Sequence, residues 1–141
     1  MKAAVVYFSE TGNTEAMARA VLKGAQEAGA EATLLTSAEF TAAMAADCGA
    51  IALGCPASGS EELEQSEFEP LFAEMACGLA GKKVALFGSY GWGGGEWMRQ
   101  WEERCGAEGL TLAADSVICM GPPDEETLEN CRRLGRSLVR A

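Results

Sequence analysis

Short apolar runs alternate with segments of helical periodicity along the whole chain, and this alternation constrains the fold more than any other feature. Because strands that alternate with helices form parallel crossover units, the sequence predicts an α/β fold with a doubly wound parallel sheet. We expect a single domain over residues 1–141. The predicted strands are residues 3–8, 32–35, 50–54, 82–89 and 110–120, and the predicted helices are residues 13–28, 40–46, 67–77, 95–105 and 125–139.

Right-handed crossovers bring the loops that follow the strands to one edge of such a sheet, where ligands bind at the point of strand-order reversal. The first loop, residues 9–14, has hydroxyl or amide side chains at four of its six positions, and it contains no Lys or Arg. With the free N–H groups of a helix start, these donors predict a site that holds a phosphate. The lysine of a GxxxxGK[ST] nucleotide hydrolase loop is missing, and the alternative is an ordinary capped helix start.

The third loop, residues 89–95, places Trp92 between Gly91 and three consecutive glycines. A regular element cannot bury an indole in such a segment, so Trp92 is predicted to cover a planar ligand, the alternative being packing on a neighbouring helix. Trp97 and Trp101 repeat at helical spacing and are predicted to lie in the core.

The second loop, residues 55–66, offers Ser58, Gly59 and Ser60 as a turn, a pattern that many surface turns share. It runs into a cluster of acids, most of which the sequence alone explains as a solvated face at a helix start, and docking of a partner is the weaker alternative. The cluster consists of Glu61, Glu62, Glu64, Glu67 and Glu69.

The formal charge of −10 argues against nucleic acid and anionic membranes as partners and favours proteins with basic patches. The absence of histidine argues against hydrolase and zinc chemistry, and we expect no catalytic residues and no metal. The six cysteines lack the spacing of a zinc or redox pair, so we expect reduced thiols in a cytoplasmic protein without a signal peptide. Cys55, Cys105, Cys119 and Cys131 lie in apolar segments and are expected to act as small hydrophobes.

Three stretches resemble the short-chain flavodoxins: YFSETGNTEAM at residues 7–17, QSEFEP at 65–70 and GKKVALFGSYGWGGGEWM at 81–98. The resemblance covers essentially the whole chain. It implies a five-stranded sheet of order 2-1-3-4-5 in a three-layer α/β/α arrangement, and flavin mononucleotide (FMN) as the cofactor.

The resemblance also implies where the cofactor would be held. Trp92 would stack on one face of the flavin ring, residues 57–59 would pack on the other, Gly59 would offer its carbonyl to N5, and Glu61 would meet N3. The backbone of residues 90–93 would meet the pyrimidine end of the ring. The implied cofactor-binding residues are Ser9, Glu10, Thr11, Gly12, Asn13 and Thr14 around the phosphate, with Pro56, Ala57, Ser58, Gly59, Glu61, Ser89, Tyr90, Gly91, Trp92 and Gly93.

Three positions depart from the pattern of this family. Ser58 stands where close relatives usually carry Met, which makes the inner-face contact smaller. Pro56 stands where many carry Ser or Thr, which removes one possible phosphate donor. Glu10 adds a negative charge beside the phosphate and is expected to point outward.

By resemblance, the protein is expected to be a monomeric, low-potential one-electron carrier that shuttles between the flavin semiquinone and hydroquinone. Its partners would be reductases and ferredoxin-linked oxidoreductases with basic docking surfaces. Three alternatives stay open: a flavin reductase, which would oxidise NAD(P)H; a signalling receiver domain, which would need acids after strand one; and a flavodoxin-like module that serves one dedicated enzyme.

Overall fold

A parallel sheet lies at the centre of the computed structural model, with strands in the order β2-β1-β3-β4-β5 and β6 also paired to β4. The structure describes residues 1–9, 11–57, 63–91 and 94–140, apart from the side chain of Cys77. The predicted doubly wound parallel fold is confirmed. The strands are β1 (Lys2–Tyr7), β2 (Glu31–Thr36), β3 (Ala50–Gly54), β4 (Lys83–Tyr90), β5 (Thr111–Leu112) and β6 (Val117–Met120), and the helices are α1 (Asn13–Glu27), α2 (Ala42–Ala46), α3 (Phe68–Met75, with a 3-10 turn at Ala76–Leu79), α4 (Glu96–Ala107) and α5 (Glu125–Arg140).

Alternate residues of the central strands point to opposite faces of the sheet, which produces two hydrophobic clusters. Leu53 faces the cluster formed with α2, α3 and α4, where it joins Trp101. Ala52, its neighbour, faces the cluster formed with α1 and α5, where it joins Met17. Every residue of β3 is buried, as expected for a strand covered by helices on both faces.

The helices α1 and α5 approach each other through two buried glycines, a feature that the sequence patterns did not indicate. A Cβ atom on Gly135 would overlap the carbonyl oxygen of Val21 and lie 2.8 Å from the backbone nitrogen of Ala25. A Cβ atom on Gly24 would overlap the carbonyl oxygen of Arg132. The two helices are therefore in backbone-to-backbone contact, which only glycine at these two positions permits.

The fifth strand differs from the prediction of one strand over residues 110–120. β5 pairs with Lys83 and Val84, whereas β6 pairs with residues 87–90 of β4. Residues 113–116 separate the two short strands, while only two residues of β4 separate the matching partners. Four residues cannot pair continuously with two, so the polar interruption predicted near Asp115 divides the edge strand into β5 and β6.

The helix boundaries differ from the predictions by a few residues, because local capping decides where a helix starts. α2 begins at Ala42 rather than residue 40, since the Thr41 side chain accepts a hydrogen bond from the Met44 N–H at 3.2 Å. α3 ends at Met75 and continues as a 3-10 turn to Leu79. Within the described ranges no helix has the length and apolarity needed to span a membrane.

The predicted core positions of the aromatic residues and cysteines are largely confirmed. Trp97 and Trp101 are buried, and Trp101 meets the ring of Phe68 edge-on at 5.4 Å between centroids. No disulfide joins any two of the five cysteines whose side chains are described. Cys55, Cys105 and Cys131 are buried, whereas Cys119 is only partly buried because it lies on the edge strand β6.

Candidate functional site

A cavity of about 160 Å³ lies at the carboxyl edge of the sheet. It brings together residues from all three loops that the sequence singled out, and it adds Gly121, which follows β6 and was not predicted. The signal for Gly121 was a glycine directly after the last strand and before two prolines. The lining residues are Ser9, Thr11, Asn13, Thr14, Pro56, Ala57, Ser89, Tyr90, Gly91 and Gly121.

The first loop turns into α1 at Gly12, which has a φ of 91° that residues with a Cβ rarely adopt. The Ser9 hydroxyl oxygen accepts hydrogen bonds from the N–H groups of Gly12, at 3.1 Å, and Glu15, at 3.3 Å. The sequence predicted Ser9 as a donor to a ligand. In the structure its oxygen accepts from two amides at the start of the helix, and its own hydroxyl hydrogen is still able to donate to a ligand.

Thr14 is the most unusual polar residue in the cavity. It is 1% exposed, and its Oγ1 atom has no hydrogen-bond partner among the described residues. A buried hydroxyl without a partner costs about 1–3 kcal/mol. Thr14 lies in the first turn of α1, where backbone N–H groups have no intrahelical acceptor. An anion in the cavity would satisfy both kinds of donor, so these residues fit a phosphate.

Backbone hydrogen bonds to β4 hold the start of the second loop in place. The Cys55 N–H donates to the Phe87 carbonyl at 3.2 Å, and the Ala57 N–H donates to the Ser89 carbonyl at 3.1 Å. From α4, the Trp97 indole N–H donates to the Cys55 carbonyl at 3.1 Å. This bond uses the polar end of a buried tryptophan to position the loop that lines the cavity.

Hydrogen bonds on the other side of the cavity join the end of β4, where the third loop begins, to Gly121, which follows β6. The Ser89 hydroxyl donates to the Gly121 carbonyl at 2.7 Å, and the Gly121 N–H donates to the Tyr90 carbonyl at 2.8 Å. Gly121 has a φ of 68°, which allows the chain to turn between these two bonds. The Tyr90 ring packs on Trp97 with centroids 5.4 Å apart.

The charge of the cavity wall is neutral, since none of its described lining residues is Lys, Arg, Asp or Glu. This matches the expectation of neutral donors without a cation. Six of the predicted site residues, together with Ser60 and Glu62, lie outside the described residues. The six are Glu10, Ser58, Gly59, Glu61, Trp92 and Gly93.

The explanation of the acidic cluster as a solvated face is wrong for Glu64, which is 7% exposed. Its carboxylate accepts hydrogen bonds from the Ser66 hydroxyl and the N–H groups of Ser66, Glu67 and Phe68 at the start of α3. Burial alone would raise the pKa of Glu64, but these hydrogen bonds together outweigh burial and lower it. The Glu67 side chain is hydrogen-bonded to Ser37, and the Glu69 side chain to Arg104.

We expect Glu64→Gln to lower the free energy of unfolding by about 2 kcal/mol at pH 7, because an amide replaces a helix-capping carboxylate. Since the folded-state pKa is lowered, the contribution of the carboxylate is present above its ordinary pKa and is lost as the pH falls through the folded value. Urea unfolding at pH 7 and at pH 3.5 measures the change.

The matched control is Glu103→Gln on the exposed face of α4, which we expect to leave the free energy of unfolding within about 0.5 kcal/mol. If Glu64→Gln lowered the free energy of unfolding by the same amount at both pH values, the result would contradict an ionised helix cap.

The comparisons with known proteins agree with this geometry. The family model described as flavodoxin matches residues 5–135. The flavodoxin of Megasphaera elsdenii is 42% identical over 137 residues, which cover 97% of this chain and 98% of that protein. The flavodoxin of Clostridium beijerinckii is 41% identical over 135 residues, which cover 96% of this chain and 97% of that protein.

Solved structures show the same relationship. The solution structure of two-electron reduced Megasphaera elsdenii flavodoxin superposes with a TM-score of 0.90 at 43% identity, and the match covers 99% of each chain. A flavodoxin from the domain Archaea superposes with a TM-score of 0.89 at 30% identity, over 99% of this chain and 97% of that one. With the strand order and the cavity at the carboxyl edge of the sheet, these matches establish that the chain belongs to the flavodoxins, a family of FMN-binding electron-transfer proteins.

Proposed function

We propose that the chain is a single-domain, cytoplasmic carrier that cycles its FMN between semiquinone and hydroquinone and passes single electrons to proteins with basic docking surfaces, among them reductases and ferredoxin-linked oxidoreductases. The observation that carries the proposal is the buried Thr14 hydroxyl, which has no hydrogen-bond partner among the described residues, in a cavity whose described lining residues carry no charge. Neutral donors hold a phosphate and leave its negative charge uncompensated.

In this proposal the start of α1 would hold the phosphate, and the Ser9 oxygen also orders the turn. The residues that would bind it are Ser9, Thr11, Gly12, Asn13 and Thr14. Ser89 and Gly121 close the other side of the cavity through their hydrogen bond. Trp92 and residues 57–59 would hold the flavin ring, and Gly59 and Glu61 would meet its polar edge. We propose that the protein acts as a monomer.

FMN supplies one-electron chemistry at its ring, and the chain sets how readily the ring takes up negative charge. The formal charge of −10 opposes addition of the second electron, because that electron adds negative charge near a phosphate that no described residue of the cavity wall neutralises. Each 1.4 kcal/mol of such repulsion moves a one-electron potential by about 59 mV. A few kcal/mol therefore separate the two one-electron steps widely.

Salt provides the test, because it screens charges over about 10 Å at 0.1 M and about 3 Å at 1 M ionic strength. We expect the potential of the second step to rise between 0.05 and 1 M salt, on the order of 30–60 mV, as repulsion of about 1 kcal/mol is removed. The first step, which yields a neutral ring, is the internal control and is expected to move less. The measurement is a redox titration followed by visible absorption with mediator dyes.

Two overlapping couples without an intermediate absorption band would refute the one-electron carrier. Two separate couples that shift equally with salt would refute the electrostatic explanation alone. A protein that bound FMN and oxidised NAD(P)H at a substantial rate would instead be a flavin reductase.

A further inference from the structure

Exposed large apolar side chains are few in the described part of the chain, and two of them lie together. Met1, Met44, Ile118 and Met120 form this group, and Met120 is the most exposed at 61%. Ile118 and Met120 are two residues apart on β6, so they point to the same face of the sheet. Val117 and Cys119, which point the other way, pack against the cluster under α1 and α5. We call Ile118 and Met120 the edge patch.

The edge patch lies at the border of the sheet and close to the cofactor cavity. Among the described strands, β6 pairs with β4 alone, so its other side is an edge. Met120 is directly followed by Gly121, which lines the cavity and is hydrogen-bonded to Tyr90 and Ser89. A protein that covered the edge patch would therefore come close to the cavity that is proposed to bind the cofactor, and electron transfer requires such proximity.

Acidic side chains outnumber basic ones around the edge patch, where the exposed Arg133 lines the same cavity as Ile118. Glu102 on α4 accepts a hydrogen bond from the Ser116 hydroxyl at 2.7 Å, next to the start of β6. Ile118 lies against Gly95, and the adjacent Glu96 is half exposed and pairs with Arg99. Beyond Met120, Asp124 caps α5 through the Thr127 N–H. Glu125 and Glu126 follow in the first turn of α5, and Glu125 is 84% exposed.

We propose that the edge patch is the docking surface for a redox protein that presents an apolar centre within a ring of Lys and Arg side chains. This inference rests on the proposed carrier function and specifies its partner. The acidic rim attracts such a surface over a distance and orients it, whereas the apolar centre holds the encounter complex through desolvation. A small contact of this kind suits a carrier that must release each partner quickly.

The test uses cytochrome c as a basic redox probe with an exposed haem edge, and this chain labelled with 13C in its methionine methyl groups. We expect the Met120 methyl signal to shift and broaden first when ferric cytochrome c is added at low salt, because the paramagnetic haem comes close to it. The Met44 signal is the internal control. Met44 is also exposed, at 39%, but it lies on α2, which connects β2 to β3 rather than adjoining the edge strand β6. The variants Met120→Gln and Met44→Gln assign the two signals.

Electron transfer provides the second readout. In stopped flow one electron leaves the reduced FMN and converts ferric to ferrous haem. We expect Met120→Gln to lower the second-order rate constant about three- to fivefold, the loss that corresponds to part of one buried side chain. Met44→Gln is expected to change it less than 1.5-fold, within the range typical of surface substitutions. Both substitutions preserve charge, so the salt dependence is expected to stay as in the parent protein.

Equal responses of Met120 and Met44, or none at Met120, would overturn the proposal. A Met120 signal that depended on the concentration of this protein alone would assign the patch to self-association, and would also overturn it. The methyl experiment does not depend on flavin reduction. A chain that bound no FMN but still showed the Met120 response would thus refute the carrier function and leave the docking surface standing.

Discussion

Replacing Gly135 with alanine is expected to lower the free energy of unfolding by about 2–3 kcal/mol, although Gly→Ala in a helix interior ordinarily raises it by up to about 1 kcal/mol. The added methyl group would overlap the carbonyl of Val21 and lie 2.8 Å from the backbone nitrogen of Ala25. Backbone atoms cannot rotate away as a side chain would. The helices α1 and α5 must therefore move apart and lose contact along their length.

The matched control is Gly106→Ala in α4, because beyond the neighbouring backbone of its own helix no described heavy atom lies within 4 Å of the position of its Cβ, and the site is exposed. We expect this variant to be as stable as the parent protein or more stable by up to about 1 kcal/mol. Chemical unfolding followed by far-ultraviolet circular dichroism measures both variants. A Gly135→Ala variant as stable as Gly106→Ala would contradict the backbone contact, and Gly24→Ala, which faces Arg132, tests the same contact from α1.

Replacing Thr14 with valine is expected to change two properties in opposite directions. The protein without FMN should become more stable by about 1 kcal/mol, because the substitution removes a buried hydroxyl that has no partner. FMN should bind about 10- to 150-fold more weakly, because a hydrogen bond to a charged group contributes about 1.5–3 kcal/mol. If Thr14 had only a structural role, the substitution would not raise stability and weaken FMN binding at the same time.

Thr14→Ser is the control for the second effect, since it keeps the hydroxyl and removes only a methyl group. We expect its affinity for FMN to lie much closer to that of the parent protein. Affinity is measured by titration of FMN fluorescence, and stability by unfolding of the FMN-free protein. Riboflavin, which lacks the phosphate, should bind Thr14→Val and the parent protein equally. Unequal riboflavin binding would contradict a phosphate contact.

The fold could be predicted from the sequence because its signals are local. A strand such as Ala50–Gly54 is a continuous apolar run, and a helix such as α5 repeats its apolar residues every three or four positions. Neither pattern depends on distant parts of the chain. The split of the last strand into β5 and β6 was only hinted at by Asp115, because pairing with β4 decides which residues can join the sheet.

The candidate site was predicted in part for a similar reason. Ser9, Thr11, Asn13 and Thr14 crowd one loop, so their composition alone indicated a phosphate site. Which of these residues caps the helix and which keeps an unpartnered hydroxyl depends on the folded geometry, and sequence spacing does not determine that geometry. Ser9 caps the helix while Thr14 keeps an unpartnered hydroxyl, since only the folded loop sets which amides reach which oxygen.

By itself, the sequence determined the strand and helix order, the loops at one edge of the sheet and the neutral donors of the first loop, because each is encoded within a few neighbouring residues. The tertiary structure decided that Gly24 and Gly135 lie in a helix contact, that Glu64 is a buried cap and that Gly121 completes the cavity. These roles depend on atoms brought together from distant parts of the chain. Their energies come from close packing and desolvation, which act only once the chain has folded.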